Sequence, residues 1–180
     1  LREGLEWSNG TPLTANDFVF AWLKQMSADA TNGYNFIMTD YIVNGAEYGE
    51  NKVSAEEVGV KAVDDRTLEV HLKNPTPYFL YLTAASNFFP VKKDVVEGEK
   101  VWTKSGDTYV CNGAFSVAEI NPQSSYVLKK NPNYFAADSV KLDGVKLVII
   151  ESAEAALSAY NAGEICMNNF QITDRTICCF

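Results

Sequence analysis

The sequence is poor in the residues and patterns that enzymes and metal sites most often use. It contains one histidine, His71, among 180 residues, which leaves little material for a Ser–His–Asp triad or a histidine-based zinc site. No Walker loop, HExxH, GxSxG or dinucleotide-binding glycine pattern occurs. The four cysteines, Cys111, Cys166, Cys178 and Cys179, include no CxxC pair. We therefore expect no catalytic residue, no metal, no cofactor and no enzymatic activity.

Two further absences bear on membranes and nucleic acids. No apolar run approaches the ~20 residues that a membrane-spanning helix needs. The 15 basic residues are scattered and 23 acidic residues give a net charge of −8, whereas phosphate binding needs clustered positive charge. We therefore expect no nucleic-acid partner. The cysteines would permit disulfides in an oxidising compartment, but their spacing leaves the pairing open.

The length corresponds to about one domain, or one and part of a second. Hydrophobic residues make up 47% of the sequence, so there is ample material for a core. The sequence begins without methionine or a signal peptide and ends without an evident domain end. We expect it to be a fragment of a longer protein.

The stretch that organises the chain runs from Leu5 to Met26. Thr14 precedes Asp17 by three residues, the spacing of a capping box that begins a helix. An apolar stripe then recurs at i, i+4 and i+8 and consists of Phe18, Trp22 and Met26. The pattern predicts a helix that packs its aromatic face on a core.

Alternation after this helix predicts a β-hairpin. Residues 58–63 and 67–73 flank the acidic turn Asp64-Asp65-Arg66, where acidic side chains serve turn geometry. In the second strand apolar residues alternate with Glu69, His71 and Lys73. This alternation predicts a sheet with one face exposed to solvent. An exposed lone histidine there is typical of solvated surface and not of a catalytic base.

The remaining pattern predicts further elements in the order helix, hairpin, strand, helix. A second hairpin is predicted at residues 115–130, a strand at 145–150 and a helix at 152–162, whereas Glu47–Asn51 is predicted to be an exposed loop. This order indicates an α+β or mixed α/β fold. The charged, glycine-containing segment at 92–108 is the best candidate for a boundary between two lobes.

Composition favours ligand binding over catalysis, since aromatic residues interleaved with asparagine can line a pocket. Tyr34 follows a loop and offers both a flat face and a hydroxyl, although a partly buried tyrosine with a satisfied hydroxyl is an equal alternative. Asn168 and Asn169 are predicted in a loop after the last helix. Their amides could hydrogen-bond an extended backbone, or they could form a plain turn.

Six ordered motifs carry a resemblance to a known family, and together they are far more specific than any one of them. They are WSNGTPLTANDFVFAW, VGVKAVDDRTLEVHLKNPTPYF, FFPVKK, CNGAF, KKNPNYF and AYNAGEI. The sequence resembles the oligopeptide-binding proteins that serve ABC importers, the extracellular solute-binding proteins of family 5, over nearly the whole chain.

The resemblance implies part of a type II periplasmic-binding-protein fold, in which two lobes close on a peptide. Residues 1–92 would be most of the extra subdomain that larger binders carry, and residues 93–180 would be part of the first lobe. The implied partners are an extended oligopeptide and an ABC permease in the membrane. The implied location is extracytoplasmic, in the periplasm or as a cell-surface lipoprotein.

The resemblance assigns ligand contacts narrowly. Tyr34 is similar to the family's peptide-contacting tyrosine, and Asn168 and Asn169 match a pocket-lining asparagine pair once a short deletion is allowed. Asn112-Gly113 matches the Asn-Gly pair with which a strand begins in the family. We interpret the role of this pair as structural. A peptide-sensing or adhesion module on the same fold, without transport, is the alternative function.

The sequence also departs from the family in two ways. Cys166 stands where the family has an acidic residue after GEI, and the segment from there to Phe180 fits the family pattern poorly. The family's second lobe, which supplies the acidic partner of the peptide's α-amine, has no counterpart in this sequence.

Overall fold

The structure, a computed structural model, describes residues 1–30, 33–98, 102–168 and 176–179; for residues 102, 167, 168 and 176–179 the description is of the backbone. The chain divides into two units. Unit 1 holds Leu1–Gly4 and Leu13–Glu97, and unit 2 holds Leu5–Pro12 and Gly98–Phe180. Both units combine helices with antiparallel strands, so the expected mixture of α and β structure is confirmed. The assignment of 1–92 and 93–180 to a subdomain and a lobe stays a prediction.

Helix α1 (Ala15–Met26) begins where the capping box predicts. The Asp17 carboxylate accepts hydrogen bonds from the Thr14 backbone N–H at 2.8 Å and from its hydroxyl at 3.3 Å. A carboxylate in the first turn also complements the positive end of the helix dipole. The sequence-predicted start of the helix is therefore confirmed.

The core of unit 1 forms on the aromatic face of α1. Trp22 and Met26 are buried, while Phe18 packs against the cluster from its edge. The Trp22 indole N–H donates to the carbonyl of Phe88 at 2.9 Å, and the two rings meet edge to face with centroids 5.2 Å apart. Phe88 is held in place by a 3₁₀ turn at Ser86–Phe88. The predicted apolar stripe is therefore the face of α1 that packs on the core, and Phe88 packs against that face.

The predicted hairpin is present as β1 (Val60–Asp64) and β2 (Thr67–Val70). Its turn is closed by the Asp64 carboxylate, which accepts the backbone N–H groups of Arg66 and Thr67 at 2.8 Å each. These hydrogen bonds lower the pKa of the Asp64 carboxyl. Helix α1 packs on both strands, so the hairpin and the helix share one core.

Short helices complete unit 1: α2 (Phe36–Thr39), α3 (Gly45–Gly49), α4 (Phe79–Leu82) and α5 (Lys93–Gly98), whose last residue belongs to unit 2. The prediction of a loop at Glu47–Asn51 is wrong, because α3 covers its first half. A Cβ on Gly45 would lie 3.1 Å from the Met26 sulfur, and one on Gly49 would lie 2.8 Å from the Met26 carbonyl oxygen. Two glycines four residues apart therefore let α3 press against the end of α1, and this packing overrides their low helix propensity.

The connector at Phe88-Phe89 is buried in only one of its two rings. Phe88 is part of the core, whereas the side chain of Phe89 is exposed. The apolar run Phe88-Phe89-Pro90-Val91 in the sequence predicts a buried connector, and this prediction is wrong for Phe89. Among the helices of the described ranges, none has both the length and the apolar composition of a membrane span.

Unit 2 is built on a five-stranded antiparallel sheet in the order β3-β4-β5-β7-β6. Its strands are β3 (Phe115–Asn121), β4 (Ser125–Lys130), β5 (Gly144–Val148), β6 (Met167–Asn168) and β7 (Thr176–Cys179). The second predicted hairpin (β3–β4) and the strand that follows (β5) are confirmed. Strands β6 and β7 were not predicted; β7 pairs with β5, which is distant in sequence.

Helix α6 (Ala153–Asn161) lies between β5 and β6 in the chain. Ser152 caps it by accepting the N–H of Ala155 at 3.2 Å. Gly163 follows the helix with φ of +75°, the left-handed conformation that favours glycine after a helix. Both ends of this helix agree with the sequence prediction.

The indole hydrogen bond of Trp22 gives a test of the unit 1 core. Replacing Trp22 with Phe keeps an aromatic ring but leaves the Phe88 carbonyl without its donor and leaves a small void. We expect the free energy of unfolding to fall by about 1–3 kcal/mol, measured by urea unfolding followed by circular dichroism. Tyr81→Phe is the matched control: Tyr81 is 83% exposed, and this change should stay within about 0.5 kcal/mol. Equal effects of the two substitutions would contradict this role for Trp22.

Candidate functional site

Tyr34 lies on the surface of unit 1 at the entry to α2. Its side chain is 65% exposed, and its carbonyl accepts the N–H of Ile37 at 3.3 Å. Helix α2 follows, and its residue Met38, which comes four positions after Tyr34, is completely buried in the core. Tyr34 is therefore an accessible aromatic side chain, and the burial of Met38 fixes the segment that carries it against the core of unit 1.

Phe36 extends this surface beside Tyr34. The two ring centroids are 6.1 Å apart with an interplanar angle of 37°, and the Phe36 side chain is 51% exposed. Sequence reasoning named Tyr34 and missed Phe36. The available signal was helical spacing: Phe36 precedes Met38 by two residues, which places it about 200° around the helix from that buried side chain.

A second group of aromatic residues connects the surface to the core of unit 1. Tyr41 meets Tyr78 edge to face at 6.1 Å, and the hydrogen bond between their hydroxyls raises the pKa of the Tyr41 phenol above its ordinary value of 10.0. Tyr41 also lies 6.4 Å from Phe79, which in turn meets Phe88 at 5.8 Å. A neutral phenol such as this can both donate and accept a hydrogen bond.

The predicted asparagine pair lies in unit 2. Asn168 belongs to β6 and pairs with Thr176 of β7; the prediction that it lies in a loop is wrong, because the chain after α6 adds a strand to the sheet. Asn169 lies outside the described residues. Tyr34 and Asn168 thus belong to different units.

Three of the sequence motifs meet in a hydrogen-bonded network within unit 2. Asn131 is completely buried; its amide donates to the Gly113 carbonyl at 2.8 Å, and its side-chain oxygen accepts the N–H of Asn133 at 3.0 Å. The Asn133 amide donates to the Ser8 carbonyl at 3.2 Å. The N–H of Ser8 donates to the Cys111 carbonyl at 2.6 Å. Gly113 contributes a carbonyl here, in agreement with the structural interpretation of Asn112-Gly113.

The described residues contain no arrangement that indicates catalysis or metal binding. His71 is exposed on the wet face of the hairpin, as predicted, and its Nε2 lies 2.7 Å from a Glu69 carboxylate oxygen. Within the described ranges no group of three or more histidine, cysteine, aspartate or glutamate side chains could hold a metal ion. The described ranges therefore offer an exposed aromatic surface at Tyr34 and Phe36 and a buried hydrogen-bonded network around Asn131.

Comparison with known proteins identifies the family. The model described as "Bacterial extracellular solute-binding proteins, family 5 Middle" matches residues 1–177. The chain belongs to this family. The suspected resemblance is thereby confirmed over the length of the chain that carries the six motifs.

Relatives within the solute-binding family share both sequence and fold. The oligopeptide-binding protein OppA of Bacillus subtilis is 40% identical over 167 residues, which cover 92% of this chain and 30% of that protein. The structure of the Escherichia coli murein tripeptide binding protein MppA superposes with a TM-score of 0.87 at 35% identity, covering 92% of this chain and 32% of that one.

A further match is the substrate-binding domain of an oligopeptide ABC transporter from Bacillus anthracis. It superposes with a TM-score of 0.86 at 36% identity over 92% of this chain and 32% of that chain. The fold is therefore that of the periplasmic oligopeptide-binding proteins, as expected. The chain spans about one third of the length of these relatives.

The buried amide of Asn131 gives a test of the network. Replacing it with Ala leaves the Gly113 carbonyl and the Asn133 N–H without partners, each at a cost of about 1–3 kcal/mol. We expect faster hydrogen exchange at Asn133 and at the strands of unit 2, measured by NMR, while the amides of α1 in unit 1 are unchanged. Asn121→Ala is the control, because the amide of Asn121 bonds a single serine hydroxyl at 3.3 Å beside the hairpin turn. Unchanged exchange at Asn133 in the Asn131 variant would contradict this role.

Proposed function

We propose that this chain is part of the substrate-binding component of an ABC transporter, a protein that captures oligopeptides outside the cytoplasm and delivers them to a membrane permease. The observation that carries the proposal is membership of the solute-binding family together with relatives whose names specify oligopeptide and murein tripeptide binding. The extracytoplasmic location follows from the same relatives. Anchorage as a lipoprotein is part of the proposal.

Tyr34 is proposed to contact the peptide. Its exposed ring and the neighbouring Phe36 offer a flat apolar surface, and the hydroxyl can bond a peptide group. The buried Met38 below them fixes the segment, which reduces the entropy lost when a ligand binds. Asn168 and Asn169 are proposed to hydrogen-bond an extended peptide backbone through their side-chain amides.

This sequence would supply one part of the binding cleft. It spans about one third of the relatives' length, and we propose that the remaining ligand contacts, including the acidic partner of the peptide's α-amine, come from a second lobe outside it. Closure of two lobes would then bury the peptide. A peptide bound to this chain by itself would lack most of those contacts.

The first expected result is a large difference in affinity between the chain and the longer protein. Isothermal titration calorimetry with a set of short peptides should give weak or undetectable binding to residues 1–180 and saturable binding to the longer protein. In the longer protein, Tyr34→Ala should weaken binding by about tenfold, equivalent to ~1.4 kcal/mol.

Tyr81→Ala in the longer protein is the matched control. Tyr81 is a more exposed tyrosine, on α4 in the same unit, and its removal should leave affinity within about twofold. Tight, saturable binding by residues 1–180 would contradict the two-lobe proposal. Equal losses for the two tyrosine variants would contradict the role of Tyr34.

Transport is distinguished from the sensing or adhesion alternative by a cellular assay. In a host that needs an amino acid and receives it only within a peptide, deleting the gene for the longer protein should abolish growth. Peptide binding that persists in calorimetry, combined with growth that does not depend on the gene, would favour the alternative module.

A further inference from the structure

Asparagine followed directly by glycine is a chemically reactive pair. The backbone nitrogen of the glycine can attack the side-chain carbonyl carbon of the asparagine, and glycine, which has no Cβ, leaves that approach open. The sequence contains four such pairs: Asn9-Gly10, Asn32-Gly33, Asn44-Gly45 and Asn112-Gly113. Asn32 lies outside the described residues, so the surroundings of three pairs can be compared.

The Asn9-Gly10 pair has its reacting groups engaged in hydrogen bonds. The Asn9 side-chain oxygen accepts the N–H of Thr11 at 3.2 Å and the Thr11 hydroxyl at 2.7 Å. The N–H of Gly10 donates to the Trp7 carbonyl at 2.9 Å. The first two bonds hold the side chain in one orientation, and the third occupies the N–H whose nitrogen would attack.

The Asn44-Gly45 pair is held in the same way. The Asn44 side-chain amide donates to the Glu57 carbonyl at 2.7 Å. The N–H of Gly45 donates to the Ile42 carbonyl at 3.0 Å. At both of these pairs, deamidation has to begin by breaking hydrogen bonds that the fold makes.

The Asn112-Gly113 pair differs from both. Within the described residues, neither the Asn112 side-chain amide nor the Gly113 N–H has a hydrogen-bond partner. Asn112 is half-buried and Gly113 is exposed, so water reaches the pair. The space around Gly113 is also open, because a Cβ built there would have the Phe115 carbonyl oxygen, at 3.9 Å, as its nearest neighbour outside the adjoining residues.

We propose that Asn112 is the described residue at which this chain preferentially deamidates. The Gly113 nitrogen bonds to Cγ of Asn112 and loses its proton, and the Cγ–Nδ2 bond breaks as the side-chain nitrogen leaves, with that proton, as ammonia. Water then opens the five-membered succinimide at one of its two carbonyl groups, which gives aspartate or isoaspartate. No group is oxidised or reduced, and water is the only co-reactant. The inference concerns the chemistry of unit 2 and does not rest on peptide binding.

The isoaspartate product would disturb the buried network around Asn131. In isoaspartate the main chain runs through the side-chain carbons and gains one methylene between Asn112 and Gly113. The chain before this point is fixed, because Cys111 bonds Ser8 through its N–H at 3.2 Å and through its carbonyl at 2.6 Å. After this point the Gly113 carbonyl accepts the Asn131 amide at 2.8 Å. A methylene inserted between two fixed points moves this carbonyl away from the buried amide, which then loses a partner.

The rates of conversion at the three asparagines test the proposal. The chain of residues 1–180 is incubated in mildly alkaline buffer, and its proteolytic peptides are followed by mass spectrometry. Asn112 should convert at least about tenfold faster than Asn9 or Asn44, because hydrogen bonds must break before the reaction at the latter two. In guanidinium chloride, where these bonds are lost, the three rates should converge.

Two substitutions separate the reaction from its consequence. Gly113→Ala should slow the conversion several-fold, because the added Cβ crowds the attacking nitrogen. The circular dichroism spectrum should not change, since the structure has space for a Cβ at this position. Asn112→Asp has the charge of the aspartate product without the inserted methylene. It should leave amide exchange at Asn133 unchanged, whereas the isoaspartate form, separated by chromatography, should exchange faster there.

Three results would overturn the proposal. They are equal rates at the three asparagines in the folded chain, a rate difference that persists in guanidinium chloride, and an unchanged rate at Asn112 in the Gly113→Ala variant. Unchanged exchange at Asn133 in the isoaspartate form would overturn the link between this modification and the network around Asn131.

Discussion

The contact between Trp22 and Phe88 is the interaction on which unit 1 depends. It joins a residue of the first long helix to one that lies 66 positions later, through a hydrogen bond of 2.9 Å and an edge-to-face ring pair. Phe88 then contacts Phe79, which contacts Tyr41. Aromatic pairs of this kind add about 0.5–1.5 kcal/mol each beyond the burial of their area. One continuous line of rings therefore holds α1, α4 and the segment after α2 together.

In unit 2, segments that are distant in sequence are held together by hydrogen-bonded polar groups. The completely buried Asn131 joins motifs that are separated in sequence, and Asn133 and Ser8 extend the network to the turn that precedes α1. A buried amide is favourable only when its groups are paired, and here both the amide nitrogen and the amide oxygen of Asn131 have backbone partners. In this account the motifs that identify the family serve largely to position its backbone, and few of their residues are expected to touch a ligand.

Local patterns in the sequence predicted local structure well. The capping box at Thr14 and Asp17, the alternation around Val70 and the serine cap of α6 each involve residues within a few positions of one another. The same is true of His71, whose exposure followed from alternation. Such features depend on short-range geometry that a single sequence displays.

The features that were missed depend on contacts between distant segments. Helix α3 forms because Gly45 and Gly49 fit against Met26, and no local pattern reveals that fit. Strand β6 has two residues and forms through β7, which itself pairs with β5, so Asn168 was placed in a loop. At the candidate site, Tyr34 was found through family resemblance, whereas Phe36 emerged from its position beside that ring.

The central claim is that this chain forms part of a clamp for extended peptides and that Tyr34 belongs to the gripping surface. The most direct measurement is a crystal structure of the longer protein with a bound peptide. The account predicts that the Tyr34 side chain lies within about 4 Å of the peptide, in a cleft between two lobes. A peptide bound elsewhere, with Tyr34 facing solvent, would contradict it.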